Sequence, residues 1–234
     1  MIGFFLASLV PIISTLHEYP TNIDYRQFKG SARNYVYNFK EWNVGYAAFN
    51  YAPELAGFFA LLRRDYQIDT VVETGTCYGF STQLFSLLFN EVHTIEISED
   101  MYAKAAHFLK HSPNVQQHLG SSGEVLAKIL PSLIGKRVLF YLDAHWNEHW
   151  PLLSELEEIS KTHKDNCIIV IDDFKVPGER IPYDHYGSHE CSLEYIKNHL
   201  EKIFTSYEMH YLIPKSANSK AKFIALPTLK KDLP

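Results

Sequence analysis

The chain has 234 residues, 46% of them hydrophobic, and a formal net charge of −5. This length and apolar content predict one globular domain with a full-sized core. The acidic balance and the lack of a basic block argue against nucleic acid as a general partner.

The cysteine pattern bears on the compartment. The three cysteines, Cys77, Cys167 and Cys191, are odd in number and lack disulfide-like spacing. They indicate free thiols in a reducing environment, so we expect a cytoplasmic protein.

The N-terminal region has two unusual features. Residues 2–16 are almost wholly apolar, but a membrane-spanning helix needs about 20 such residues. No basic residues precede them, as a signal peptide would require. We favour packing on the domain or on a partner, with a membrane contact as the alternative. Residues 1–52 form an aromatic-rich extension, which either packs on the core or forms a lid over a substrate.

A regular alternation of helices and strands begins at residue 53, and we assign residues 53–234 to one domain. Apolar strands that alternate with helices predict a parallel sheet covered on both faces. The predicted helices are Pro53–Arg64, Ser81–Phe89, Glu99–Lys110, Glu124–Leu133, Leu152–Lys161 and Leu193–Phe204. The predicted parallel strands are Thr70–Thr74, Glu91–Ile97, Val115–Leu119, Val138–Leu142 and Cys167–Ile171.

The chain ends differently. Two strand-like runs, Tyr207–Ile213 and Lys222–Leu226, are joined by a loop too short for a parallel crossover. The prediction is therefore a three-layer α/β fold with a Rossmann-like seven-stranded sheet, five parallel strands being followed by a C-terminal β-hairpin. A dinucleotide dehydrogenase would add another parallel strand instead.

A glycine loop follows the first parallel strand. The strand runs into Glu73, then Gly75 and Gly79 in G-x-x-x-G spacing, then a helix start at Ser81. Such turns place a nucleotide-like ligand against bare backbone. The spacing is not the G-x-G-x-x-G of dinucleotide sites, and Glu73 would repel pyrophosphate but attract a cation. S-adenosylmethionine (SAM) carries a sulfonium and an ammonium group and no phosphate; the alternative is an ordinary tight turn.

Polar residues end the next two strands. Glu96 lies about 20 residues after the loop, where a carboxylate can accept hydrogen bonds from both ribose hydroxyls. Gly120, Ser121, Ser122 and Gly123 follow the third strand. Small residues let a flat ring approach the backbone, and the hydroxyls can bond adenine edges. The serines can also cap the following helix.

Three carboxylates end the last two parallel strands: Asp143, Asp172 and Asp173. Crowded carboxylates repel one another unless a cation neutralises them, and Mg²⁺ prefers oxygen ligands. The alternative is helix capping by Asp172 or Asp173 beside a structural Asp143. His145 is a candidate base, because the ordinary pKa of histidine is about 6.5.

Together these positions resemble the catechol O-methyltransferase type of cation-dependent class I methyltransferase, over about residues 53–178. The sequence also resembles sugar and macrolide O-methyltransferases with an aspartate triad at the same strand ends. The motifs that carry the resemblance are Glu73–Ser81, Thr94–Ile97, Gly120–Ser122, Leu142–Trp146 and Ile171–Asp173.

The resemblance implies roles for these positions. The methionine part of SAM would be held by Glu73, Gly75, Gly79 and Ser81, and Thr76 of the same loop joins the cofactor set. Glu96 would bind ribose, Ser122 would contact adenine, and Ser121 and Asp143 complete the cofactor residues. The metal ligands would be Asp143, Asp172 and Asp173.

Two departures from the catechol enzymes matter. Ala144 is inserted after Asp143, and Asn147 stands where those enzymes have the lysine that serves as base. His145 is therefore our first candidate base and Asp143 the second. Residues 178–192 and the aromatic extension lie outside the resemblance, so the identity of the acceptor does not transfer.

The sequence thus predicts a SAM-dependent, Mg²⁺-assisted O-methyltransferase acting on a small hydroxylated molecule, with a homodimer as an open alternative to a monomer. A metal-independent methyltransferase, a non-catalytic SAM-binding protein and a dinucleotide oxidoreductase are the competing interpretations.

Overall fold

A computed structural model describes residues 48–49, 55–145, 150–213 and 220–228. Most of the predicted extension 1–52, including the apolar residues 2–16, lies outside these ranges, as do Trp146 and Asn147. In the described ranges no helix is both long and apolar enough to cross a membrane.

The core of the fold is a seven-stranded sheet. Its strands are β1 Thr70–Thr74, β2 Glu91–Glu96, β3 Val115–Leu119, β4 Val138–Leu142, β5 Cys167–Ile171, β8 Tyr207–Leu212 and β9 Lys222–Pro227. Their order in the sheet is β3-β2-β1-β4-β5-β9-β8. Strands β1 to β5 are parallel, whereas β9 pairs antiparallel with both β5 and β8. The predicted five parallel strands and the C-terminal antiparallel pair are therefore confirmed.

Helices cover both faces of the sheet, as the unbroken apolar strands require. The helices are α1 Leu55–Tyr66, α2 Phe80–Leu88, α3 Glu99–Leu109, α4 Ser122–Ile129, α5 Leu152–Thr162 and α6 Leu193–Ile203. Successive strand residues alternate between the faces: Val71 packs with the aromatic residues of α1 and α2, and Val72 packs with α4, α5 and α6.

The two described residues of the N-terminal extension are buried. Phe49 is fully buried, and its ring lies 4.9 Å from Phe59 and 5.7 Å from Tyr141 between centroids. Its amide donates a hydrogen bond to Ser81 Oγ at 2.9 Å. This residue therefore joins the aromatic core to the start of α2.

Two local features differ from the prediction. The helix predicted over Glu124–Leu133 begins earlier, at Ser122, and ends at Ile129; a 3₁₀ turn, Leu130–Leu133, follows. Pro131 explains this end, because it has no N–H for an α-helical bond. A short hairpin, β6 His185–Tyr186 and β7 His189–Glu190, was not predicted.

Candidate active site

The glycine loop lies at the point where the strand order reverses, because β1 is flanked by β2 and β4. Ligands of open α/β sheets bind beyond the strand ends at such a point. Gly75 has φ +85°, and a Cβ there would lie 2.6 Å from the carbonyl oxygen of Asp143. Gly79, at φ +81°, precedes α2. Glycine is thus required at position 75 by conformation and by close backbone approach.

Glu73 faces inward beneath this loop and is only 1% exposed. Its Oε2 accepts hydrogen bonds from the hydroxyls of Thr82 and, at 2.7 Å, Thr94. Thr94 is in turn paired with Thr76 Oγ1 at 2.6 Å. Burial raises the pKa of Glu73 to about 7, although both threonine bonds oppose the shift. The carboxyl thus holds the loop in place from below, a role the sequence did not indicate.

Glu96 joins the ends of β1 and β2. Its carboxylate accepts hydrogen bonds from the amides of Cys77 at 2.7 Å and Ser98 at 2.9 Å. It therefore lies against the glycine loop, and its contact with the ribose stays a prediction. Ser81 lies at the other end of the loop, where its Oγ accepts a hydrogen bond from the amide of Phe49.

The serines after β3 occupy the start of α4. Ser121 is the N-cap residue, but its side chain makes no capping bond. Ser122 is buried, and its hydroxyl interacts with the carboxyl of Glu155 in α5, whose pKa it lowers. Capping therefore does not account for either hydroxyl.

Asp172, one of the predicted metal ligands, is already engaged by the fold. Lys222 of β9 donates to its Oδ1, the Tyr141 hydroxyl donates to its Oδ2, and the Asp173 amide donates to Oδ1 at 2.7 Å. Neither side chain of the Lys222–Asp172 pair is exposed to solvent. The carboxylate of Asp172 thus already accepts hydrogen bonds from three donors of the protein.

Asp143 and Asp173 belong to a different group, which includes His145. One ligand atom from each of the three lies within 4.8 Å of the others. The predicted Asp143 and Asp173 are therefore brought together, and His145, expected as a base, stands where the prediction had Asp172.

The carboxyls here are crowded. Burial, followed by the charges of Asp172 and Asp173, raises the pKa of Asp143 well above its usual range. Burial and the charge of Asp172 raise the pKa of Asp173 to about 7, against the effect of Lys220. Lys220 donates to Asp173 at 2.7 Å and also to Asp184. Four carboxyl groups thus surround two ammonium groups.

The unpredicted hairpin β6–β7 supplies the outer wall of the site. Asp184 lies 3.8 Å from Nε2 of His145, which is about half exposed. Tyr186 packs between His145 and Trp150, with ring centroids at 5.9 and 5.1 Å. His145, Trp150 and Asp184 line a small cavity, open at its mouth, whose lining also includes Asp143, Asp173 and Glu155.

The fold is that of SAM-dependent methyltransferases. An O-methyltransferase from Bacillus cereus, solved with SAH, is similar over 84% of this chain and 90% of its own, with TM-score 0.59 and 18% identity. TomG from Streptomyces achromogenes, an O-methyltransferase in complex with SAM, is similar over 84% and 88%, with TM-score 0.55 and 16% identity. A putative O-methyltransferase from Klebsiella pneumoniae is similar over 86% and 98%, with TM-score 0.56 and 18% identity. No family model and no curated protein matches the sequence.

Proposed function

We propose that the protein transfers the methyl group of SAM to a hydroxyl of a small molecule. The observation that carries this proposal is the position of Asp143. Its backbone lies close to Gly75 of the glycine loop, while its carboxyl belongs to the group with His145 and Asp173. A cofactor on the loop and an acceptor at the acidic group would therefore meet at one residue. The SAM- and SAH-bound proteins that share the fold support the choice of cofactor.

The cofactor would lie along the ends of β1, β2 and β3. Gly75, Thr76, Gly79 and Ser81 would hold its methionine part, with Glu73 supporting the loop from below. Glu96 would bind the ribose, and Ser121 and Ser122 would border the adenine. Methyl transfer from a sulfonium needs the two reactants in line, so these contacts would contribute mainly through positioning.

A divalent cation fits the group formed by Asp143, His145 and Asp173. Two carboxylate oxygens suit Mg²⁺, and the imidazole also admits a metal such as Mn²⁺. The two lysines balance only part of the charge on the four neighbouring carboxyls. Such a cation would lower the pKa of an acceptor hydroxyl.

Where His145 is not a ligand of the cation, it is the proposed general base, with Asp143 as the alternative. His145 lies at the mouth of the cavity, with a carboxylate oxygen of Asp184 3.8 Å from its Nε2. A base at this position can pass the acceptor proton to solvent, whereas Asp143 is more enclosed. The acidic and polar side chains that line the cavity suit a hydroxylated molecule.

A metal-independent methyltransferase is the second candidate. It is favoured by Lys220, which bridges Asp173 and Asp184, and by Lys222, which neutralises Asp172. In that case the two lysine ammonium groups, and not a metal ion, would neutralise the neighbouring carboxylates.

The test is calorimetric titration with S-adenosylhomocysteine, followed by transfer of labelled methyl from SAM to a panel of phenols, catechols and sugars. We expect binding in EDTA and turnover that rises with Mg²⁺ or Mn²⁺. Absence of binding would contradict the cofactor assignment. Turnover that EDTA leaves unchanged would favour the metal-independent candidate. Asp143→Asn should lose turnover, and Asp100→Asn, at an exposed helix position, is its matched control.

A further inference from the structure

Lys220 places an ammonium group at the proposed cation site. Its Nζ donates to Asp173 Oδ2 at 2.7 Å and also to a carboxylate oxygen of Asp184. Asp173 is one of the three residues whose ligand atoms lie within 4.8 Å of one another. A carboxylate that the cation would use is thus already paired with a positive charge of the protein.

The fold fixes the backbone of Lys220 but leaves its side chain room to move. The carbonyl oxygen of Lys220 accepts a hydrogen bond from the Lys222 ammonium at 3.1 Å. The next carbonyl, that of Ala221, accepts one from the amide of Phe174 at 2.8 Å. The Lys220 side chain is 31% exposed, so its ammonium can leave Asp173 without any change in the backbone.

Asp184 is held beside Asp173 independently of the lysine. Its amide donates to the carbonyl oxygen of Asp173 at 2.9 Å, and its own carbonyl accepts from the amide of Cys191 at 2.8 Å. Asp184 is not one of the three residues of the proposed cation site. An ammonium displaced from Asp173 would therefore keep one of its two carboxylate partners.

The charge on Lys220 decides which ions can replace it. Burial lowers the pKa of Lys220, but the hydrogen bonds to Asp173 and Asp184 outweigh this effect and raise the pKa above its ordinary value. Lys220 is thus a fixed positive charge and not a base. A divalent cation would bring one more charge than the ammonium and coordinate carboxylate oxygens directly, whereas a monovalent ion would bring no more.

We propose that Lys220 is a tethered counter-ion that competes with the divalent cation for Asp173. Without the cation, the ammonium neutralises this carboxylate; when a divalent cation binds, the ammonium leaves Asp173 and stays with Asp184. Lys220 therefore sets the concentration at which the cation binds. This inference rests on the cation site of the proposed function.

The affinity for Mn²⁺ tests the competition, measured by calorimetry on the full chain at about pH 8, above the pKa of about 7 of Asp173. We expect Lys220→Gln to bind Mn²⁺ about 10- to 100-fold more tightly than wild type, the factor that a hydrogen bond between charged groups contributes. Lys220→Arg keeps the charge and should bind Mn²⁺ no more tightly than wild type. Lys175→Gln removes the same charge from an exposed pair with Glu190, and its affinity should stay within about threefold of wild type.

S-adenosylhomocysteine, titrated into the same samples, should bind all four proteins alike and so show that the variants are folded. Lys220→Gln binding Mn²⁺ no more tightly than wild type overturns the inference, as does an equal gain in Lys175→Gln or any gain in Lys220→Arg. If S-adenosylhomocysteine binds but Mn²⁺ binds neither wild type nor Lys220→Gln, the cation site fails together with the inference. If S-adenosylhomocysteine does not bind the wild-type protein, the proposed function itself fails.

Discussion

Lys222, the first residue of β9, and Asp172, which directly follows β5, form an ion pair in which neither side chain is exposed. The pair lies beneath the proposed acceptor site and also binds the Tyr141 hydroxyl. Removing one partner of a buried pair leaves an uncompensated charge, which typically costs about 3–5 kcal/mol. The pair therefore ties the C-terminal strands to the floor of the site.

We predict that Lys222→Met lowers the free energy of unfolding by about 3–5 kcal/mol in urea titrations. The double variant Lys222→Met, Asp172→Asn should recover part of this loss, because no charge then remains unpaired. Lys202→Met, which removes an exposed pair with Glu157, should leave the urea midpoint nearly unchanged. A double variant less stable than Lys222→Met would contradict this account of the pair.

Gly75→Ala is expected to damage the cofactor site through the backbone of Asp143. The residue has a positive φ, and an added Cβ would lie 2.6 Å from the Asp143 carbonyl oxygen. Gly178 has a similar φ of +81° with nothing within 4 Å, so Gly178→Ala isolates the conformational cost of about 1 kcal/mol. Gly75→Ala should cost more than that and should also weaken S-adenosylhomocysteine binding, measured by calorimetry. Equal effects of the two substitutions would show that the close approach does not matter.

Glu73 should make stability depend on pH in a predictable direction. Its folded pKa is about 7, above the ordinary value of 4.5. Between these values the folded protein binds more protons than the unfolded chain, so this contribution is full below about pH 4.5 and is lost as the pH rises through 7. Glu73→Gln should therefore be more stable than wild type at about pH 8.5, by an amount on the order of 3 kcal/mol, and similar to it at about pH 5.

Urea unfolding at both pH values measures this difference, with Glu201→Gln, at an exposed position of α6, as the control. Glutamine keeps one oxygen to accept the threonine hydroxyls, so the loop contacts need not be lost. A variant that is less stable than wild type at both pH values would indicate that the charge itself is needed.

The sheet was predictable because its strands are short, almost unbroken apolar runs, and because the terminal connection is too short for a crossover. The strand ends that carry Glu73, Glu96 and Asp143 followed from the same pattern. The directions of the side chains did not follow from this pattern, since Asp172 and Asp173 are neighbours in sequence but have different partners. Those partners, Lys222 and Lys220, come from about fifty residues away.

Two other features could not be predicted for physical reasons. The strands β6 and β7 have two residues each and no apolar run, so neither periodicity nor length indicates them. Glu155 lies among Glu157 and Glu158 on an amphipathic helix, and nothing local distinguishes the buried glutamate from the other two. Its burial accompanies the close approach of α5 to α4 at Gly123, where an added Cβ would lie 2.6 Å from Ser154 Oγ.

Tyr186 should affect the acceptor and not the cofactor. Its ring packs against His145 and Trp150. Tyr186 belongs to the hairpin β6–β7, which is separate from the glycine loop. Tyr186→Ala is expected to raise KM for the acceptor several-fold while the affinity for S-adenosylhomocysteine stays as in wild type. Tyr102→Ala, on α3, serves as a matched control. If Tyr186→Ala changed only the affinity for the cofactor, the hairpin would not be part of the acceptor site.

Asp172 and Asp173 should differ in their response to a divalent cation, although they are adjacent. Asp173 belongs to the group with Asp143 and His145, whereas Asp172 is bound by Lys222 and Tyr141. A cation at 100 times its dissociation constant stabilises the folded protein by about 2.7 kcal/mol, which thermal melts in Mn²⁺ and in EDTA can detect. Asp173→Asn should lose most of this difference, while Asp172→Asn should be less stable in EDTA yet keep most of it. If Asp172→Asn lost the response to the cation as fully as Asp173→Asn, the result would instead support the triad predicted from the sequence, Asp143, Asp172 and Asp173.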